Sequence, residues 1–574
     1  MAFILKSKQK IIILAMAIGI FLCVLDTTVM NIALPAIQTG LHVSLDDLSW
    51  ALNIYTITFA VFTIPLGRLA DIFGRHKLYI LGLGLFTLGS ALSGLAPNLA
   101  LLIAGRGIQS LGAATIFPAG MTIGISATSM ANRTKVVAVL GVMQGLAAAL
   151  GPTIGGIITQ FLGWRWVFMI NVPACLVIAL LVSRSLSFKH EATIAAKIDY
   201  PGMVLSMVTL FTLTLALIKG NDWHWNSPLI LSLCGLSLLA LLGFILVERH
   251  SQHPMIPLDL FKNRQFTGAS IAMIITGIFL VAFMVIMPTF FTKIQGHSEL
   301  AAALMITPTS AMIFLFSPIS GFLVAKLGPR LVIASGFLGL IAGYLVLYNM
   351  NPNNYHQVVW ACLFIGMGFG IIAGPIVVLG AADFTGELLT ASQSVLGLFR
   401  QIGSVLAVAI FVSALTANLN TAKATATQTA NQQIEQLHIP RAAKTTMQQQ
   451  TDRQINNANS QPSGTTTPKK HVSATEISQL IETNYQQALA KIGNAALLPT
   501  EVKAQIHARV AAGVQRKVRQ ENTSINRTVS TIKANTKAQI TQAFMRPYRL
   551  ALPFLILASL TSLLFYRKQD YLPA

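Results

Sequence analysis

The chain alternates long apolar runs with short polar connections from residue 11 to residue 416, and adds one more apolar run at 547–566. Each run holds about 20 residues, which is what an α-helix needs to cross a hydrocarbon core near 30 Å at 1.5 Å per residue. The strict apolar–polar alternation of a membrane strand is absent. Fourteen spans are predicted, at roughly 11–35, 50–70, 78–96, 99–126, 135–161, 165–184, 200–219, 227–247, 268–292, 299–325, 331–350, 357–380, 395–416 and 547–566. The expected fold class is an all-α polytopic membrane protein.

Residues 417–545 break the pattern. They are rich in Thr, Gln, Asn and Ala and hold fifteen Lys/Arg against six Asp/Glu. The part from 421 to 470, with Pro462 and Pro468, reads as disordered or loosely helical. Ser473-Ala-Thr-Glu476 has the form of a capping box ahead of a helix. Val502, Ile506, Val510, Val514 and Val518 then recur every four residues among bases, an apolar stripe on a basic helix. A solvated helical hairpin, a lid over the outer mouth, and a surface for anionic lipid or cell-wall polymer are all compatible with this segment.

Composition agrees with the spans: of 574 residues, 54% are hydrophobic and 10% charged. With the N-terminus inside, nineteen lysines and arginines between Lys6 and Lys568, Arg400 among them, fall on the inner side. Three (Arg165, Lys219 and Lys293) fall in short outer connections. This bias places both termini in the cytoplasm and the protein in the plasma membrane. All six tryptophans fall at outer helix ends, where indole prefers the interface. The net charge of +21 thus needs no nucleic-acid partner. Lys6, Lys8 and Lys10 resemble the start of a signal peptide, but no small-residue cleavage site follows, so the first run reads as an uncleaved span. The four cysteines lie in or beside spans and suggest no disulfide.

Two charges lie deep. Asp26 sits inside the first run, where a carboxylate costs roughly 2.5–3.5 kcal/mol on insertion scales, and is a candidate carrier of a proton or cation. The competing reading is a polar cap shared with Thr27, Thr28 and Asn31. Arg106 in the fourth run either tunes or relays Asp26's proton or packs against backbone carbonyls. Asp46, Asp47, Glu299, Asp383 and Glu387 lie near predicted ends, where solvation is expected. No GxxxxGK[ST] run is present, so an ion gradient is the expected energy source, with no cofactor, metal or enzymatic step.

The second and third spans are joined by Gly67-Arg-Leu-Ala-Asp71-Ile-Phe-Gly74-Arg75-His-Lys77, and the pattern returns as Gly321-Phe-Leu-Val-Ala325-Lys-Leu-Gly328-Pro-Arg330 without the acid. A pattern repeated at equivalent topology is what two homologous halves produce. The first copy resembles the signature of the major facilitator superfamily. Arg106-Gly-Ile-Gln109-Ser-Leu-Gly112 resembles a further segment of it, and Gly151-Pro152-Thr-Ile-Gly155-Gly156 resembles its antiporter motif, where Gly-Pro bends a helix and small residues allow close contact. With Trp164 to Pro173, Leu25 to Pro35, and Thr385-Gly-Glu387 through Gly403, the chain is similar to fourteen-span drug:proton antiporters of the EmrB/QacA type, although Gly397 stands where asparagine is common.

The resemblance implies two pseudo-symmetric six-helix bundles, at 1–199 and 251–574, with a helix pair inserted at 200–250 and the basic segment 417–545 inside the second. It implies a monomer that exports small amphipathic, often cationic compounds in exchange for protons, with membrane lipid around it. Asp26 and Arg106 would couple proton and substrate, and Gly67, Asp71, Gly74, Arg75, Lys77, Gly151, Pro152, Gly155 and Gly156 would govern closure. Asn31, Asn53, Tyr55, Gln109, Met143, Gln144, Met273, Phe283, Met305 and Phe399 are candidate cavity residues, since methionine and aromatic faces adapt to many ligands. One carboxylate cannot neutralise two charges, so dications would be poorly handled. A translocator of lipid, glycolipid or fatty acid is the alternative, and a sensor that kept the fold without transport is a third reading.

Overall fold

A computed structural model describes residues 7–188, 191, 193, 197–457, 474–492 and 498–571. The helices are α1 (Ser7–Leu41), α2 (Leu45–Phe73), α3 (Arg75–Gly94), α4 (Leu99–Ser126), α5 (Met130–Phe161), α6 (Trp166–Met169), α7 (Asn171–Ser185), α8 (Tyr200–Lys219) and α9 (Pro228–His250). After them come α10 (Arg264–Lys293), α11 (Glu299–Leu327), α12 (Pro329–Asn349), α13 (Tyr355–Leu379) and α14 (Gly386–Ala407). The last are α15 (Ser413–Glu435), α16 (Arg441–Asn457), α17 (Ala474–Ala490), α18 (Thr500–Ala558) and α19 (Lys568–Tyr571). Among the described residues, thirteen helices are long and apolar enough to span, and the bent α5 makes fourteen. The protein is a multi-pass membrane protein.

The chain forms two compact units. The first holds Met1–Thr292, His297–Ala414 and Met545–Ala574. Within it α3 packs on α4, α1 on α5 and α2 on α4, while α12 and α11 both pack on α13. These two sets meet where α5 touches α11 and α13, and where α14 touches α2 and α4. The hairpin α8–α9 packs on α2.

The repeated glycine pattern has a structural counterpart. Gly74 ends α2 and starts α3 at φ 112°, and Gly328 ends α11 and starts α12 at φ 85°; side chains rarely adopt either value. Chain following the last span of each set folds back on each turn. Near the first, the His76 backbone N–H donates to Glu191 and the His76 ring lies 2.8 Å from the Ser187 carbonyl. Near the second, Arg330 donates to the carbonyls of Leu563 and Phe565.

α14 begins nine residues earlier than the predicted 395, because Gly386 to Ser394 is polar yet helical. It runs through a π-turn at Val408–Val412 into α15. Arg400, counted among the inner-side bases although it falls within the predicted span 395–416, lies roughly 21 Å along α14 from Gly386 at 1.5 Å per residue.

The second unit comprises Lys293–Gly296 and Leu415–Phe544. Of the segment expected to be disordered or loosely helical, much is helical, in α15 and α16. Ala426, Ala430 and Ile434 recur every four residues on α15 and bury a small core with Ile455 and Ile532. The expected stripe on α18 is covered only partly: Val518 is buried but Val502 is exposed. Pro462, Pro468 and Ser473 lie outside the described residues. Because Ile434 is fully buried, Ile434→Ala should cost this unit about 2–5 kcal/mol. Hydrogen exchange should show lost protection in α15 and α16, with spans α1 to α13 unchanged.

Candidate functional site

Asp26 lies midway along α1 and Arg106 lies in the second turn of α4; both side chains are 1% exposed and the two form an ion pair. Gln109, one turn along α4 from Arg106, closes the cluster. Its amide donates to Asp26 Oδ1 at 2.9 Å and lies 2.9 Å from Ser90 Oγ, while its Oε1 accepts from Arg106 at 2.7 Å. Arg106 Nε also donates to the Ala51 carbonyl at 3.3 Å. Asp26 is thus held by one cation and one amide, charge-assisted contacts in a site closed to solvent.

An aromatic column leads away from this cluster. The Arg106 guanidinium lies 4.3 Å from the Tyr55 ring centroid. Tyr55 stacks on Phe59 at 6.5 Å, and Phe59 meets Phe117 edge-on at 6.0 Å. Arg400 of α14 lies 5.1 Å from the Phe117 centroid. An arginine stands at each end of three rings, within the range of cation–π attraction. Phe117 also explains Gly397: a Cβ there would lie 2.6 Å from the Phe117 ring.

The glycine motif on α5 sits beside Asp26. A Cβ on Gly151 would strike the Thr28 side chain, and one on Gly155 would lie 3.0 Å from the Val29 carbonyl oxygen and 3.2 Å from its Cα. These contacts join α5 to α1 within three residues of Asp26. Gly156 faces the other way, toward Leu300 and Ala303 of α11, and Thr153 pairs with Thr307 at 2.9 Å. Pro152 lacks the N–H that would bond Ala148, and α5 bends by 49° between Ala148 and Leu150.

At the end bearing the Gly67–Lys77 turn, α14 is latched to α2 and α3. Asp71 Oδ1 accepts from Arg75 Nε at 2.6 Å and from Thr390 Oγ1 at 2.9 Å. Arg75 also donates to the Gly386 carbonyl at 3.1 Å, Arg68 pairs with Glu387 at 2.8 Å, and Arg133 donates to the Phe384 carbonyl. Glu387, expected to be solvated, is instead a partner in this latch, although 40% exposed. Gly67 lets α2 approach Ser394 of α14, whereas Lys77 is exposed.

The candidate cavity residues scatter. Tyr55 and Gln109 join the Asp26 cluster. Gln144 is buried, its amide 3.5 Å from the Met121 sulfur. Met273 and Phe283 are buried within α10, and Phe399 lies against Phe261 at 6.4 Å. Asn53, Met143 and Met305 are half-buried, and Asn31 is exposed with its amide donating weakly to the Thr27 carbonyl. Arg400 and Phe117 are the residues the sequence reading missed. Thr390, Ser394, Gly397, Arg400 and Ser404 recur at helical spacing, the signal that could have placed Arg400 on an inward face.

A model described as the Major Facilitator Superfamily matches residues 16–408. The multidrug transporter protein MdtP of Bacillus subtilis is 32% identical over 415 residues, 72% of this chain and 76% of that protein. The multidrug resistance protein Stp of Mycobacterium tuberculosis H37Rv is 30% identical over 420 residues, covering 72% and 78%. Among solved structures, the proton:xylose symporter XylE aligns with TM-score 0.50 at 15% identity over 71% of this chain and 88% of that one. A bacterial homolog of the human lysosomal transporter Spinster aligns with TM-score 0.50 at 15% identity over 99% and 100%. These two likenesses speak to fold alone. The repeated glycine turns, the thirteen to fourteen apolar helices among the described residues and the sequence matches agree: the chain belongs to the major facilitator superfamily and is a membrane transporter, not an enzyme.

Proposed function

We propose that the protein is a proton-coupled exporter of small amphipathic compounds, of the fourteen-span drug:proton antiporter type, in the plasma membrane with both termini in the cytoplasm. The observation that carries this reading is the Asp26 carboxylate, buried in a span and held by Arg106 and Gln109. The relatives named for multidrug resistance support export of drug-like compounds.

Deprotonated Asp26 accepts from α4 and draws α1 toward it. A proton on Asp26 removes the charge, weakens both contacts, and leaves Arg106 to the Ala51 carbonyl and the Tyr55 face. The change at α1 reaches α5 through Thr28 and Val29 against Gly151 and Gly155, and reaches α11 through Gly156. In this reading residues 1–199 and 251–574 are the two rocking bundles, with 200–250 inserted between them. The latch at Asp71 closes the cytoplasmic mouth, so the described arrangement is the one shut toward the cytoplasm. Opening there requires releasing Asp71 from Thr390 and Arg68 from Glu387.

The test is transport by the full chain in proteoliposomes, using amphipathic dyes of both charges. Dye movement should follow an imposed proton gradient, stop on addition of a protonophore, and ignore ATP. Dye movement unchanged when the proton gradient is collapsed would contradict the reading.

A further inference from the structure

Arg400 is the third deep charge, and the proposed coupling mechanism does not use it. It lies on the stripe of α14 that faces α2 and α4: Thr390 bonds Asp71, Ser394 meets Gly67, Gly397 meets Phe117, and Arg400 lies over the same ring. Its guanidinium makes no hydrogen bond or ion pair among the described residues, and its buried Nε has no partner. Arg68 and Arg133 also carry a buried Nε without a partner, but each is bonded through another nitrogen, and several further arginines are engaged at their heads. Arg165, Arg264, Arg330 and Arg549 each donate to backbone carbonyls, and Arg68, Arg75 and Arg106 hold carboxylates.

Among the described residues no ion pair joins Asp26 to Arg400; Asp26 pairs with Arg106. Phe117, over which Arg400 lies, is eleven residues along α4 from Arg106. Asp26, Arg106 and Arg400 contribute −1, +1 and +1, a net charge of +1 away from the helix ends, and protonating Asp26 raises it to +2. The expectation of cationic substrates came with the family resemblance and with the lone carboxylate of Asp26. With the carboxylate already held and Arg400 without an ion-pair partner among the described residues, a cation near Arg400 is repelled and an acid is attracted. A guanidinium offers five N–H donors in a fork that matches a carboxylate, and a ring face replaces only part of what that fork loses on leaving water.

We propose that Arg400 is the docking point for an acidic group, a carboxylate or sulfonate, on the transported amphipath, with the Phe117 face beneath it. Acidic and zwitterionic amphipaths are then better ligands than simple cations. The inference builds on the exporter reading, but its test is equilibrium binding rather than transport, so either can fail alone.

The test uses the full chain in phosphatidylcholine nanodiscs and two dyes sharing one ring skeleton, carboxyfluorescein as the acid and rhodamine 123 as the cation, with binding followed by fluorescence anisotropy. The unaltered protein should bind the acid more tightly. Arg400→Gln should shift the acid-to-cation affinity ratio toward the cation by about tenfold or more, and Arg400→Lys should keep most of the preference. Tighter binding of the cation by the unaltered protein, or a ratio unmoved by Arg400→Gln, would overturn the proposal.

Discussion

Asp26→Asn should abolish gradient-driven export while leaving the protein folded. Asparagine keeps the size of the side chain and one oxygen to accept from Arg106 or Gln109, but it cannot lose a proton. The switch between charged and neutral states is then frozen. Two hydrogen bonds to a carboxylate at about 1.5 kcal/mol each give about 3 kcal/mol of bias between the states, a factor of roughly 100. Uphill dye export in proteoliposomes should therefore fall by about 100-fold or more, while downhill exchange of dye for dye persists. Loss of both together would mean that Asp26 holds the bundle and does not drive it.

The second large effect is on stability. Arg106→Met removes the cation that holds Asp26 and leaves a carboxylate in a closed, low-dielectric site. Breaking a buried pair from one side costs about 3–5 kcal/mol, because one charge loses its partner. Removing both ends should restore most of this, since a well-packed apolar pair of similar volume is often neutral. Thermal unfolding in detergent should therefore rank Arg106→Met well below the unaltered protein and Asp26→Leu/Arg106→Met close to it. Additive losses in the double variant would show that Asp26 and Arg106 are not coupled, contrary to their contact and to the Gln109 bridge between them.

Much of this was legible in the residues because a bilayer constrains sequence strongly. A span must satisfy its backbone internally and stay apolar for about 20 residues, so the helices declare themselves. A charge in such a run is rare enough to notice, which is how Asp26 and Arg106 stand out. The same logic failed at α14. Its first turns carry Glu387, Thr390, Gln393 and Ser394, so hydropathy placed the start too late, and Arg400 was counted with the inner-side bases although the predicted span contains it. Glu387, Thr390 and Ser394 are tolerated because they meet Arg68, Asp71 and Gly67 of α2, a tertiary fact that hydropathy does not carry. The pairing of Glu387 with Arg68, 319 residues away, is equally invisible along the chain. Phe117 reads as ordinary packing until its ring is found filling the space above Gly397. In the second unit, low apolar content left disorder and loose helix both open, and alanines at every fourth position let α15 pack closely enough to build a core from Ile434, Ile455 and Ile532.

The account rests on Asp26 taking up and giving back a proton, and infrared difference spectroscopy reads that event at the carboxyl group itself. Spectra of the reconstituted protein at acid minus alkaline pH should contain the carbonyl stretch of a protonated buried carboxyl, and that band should be missing from Asp26→Asn. A difference spectrum identical in the two proteins, across the pH range in which the unaltered protein transports, would contradict it.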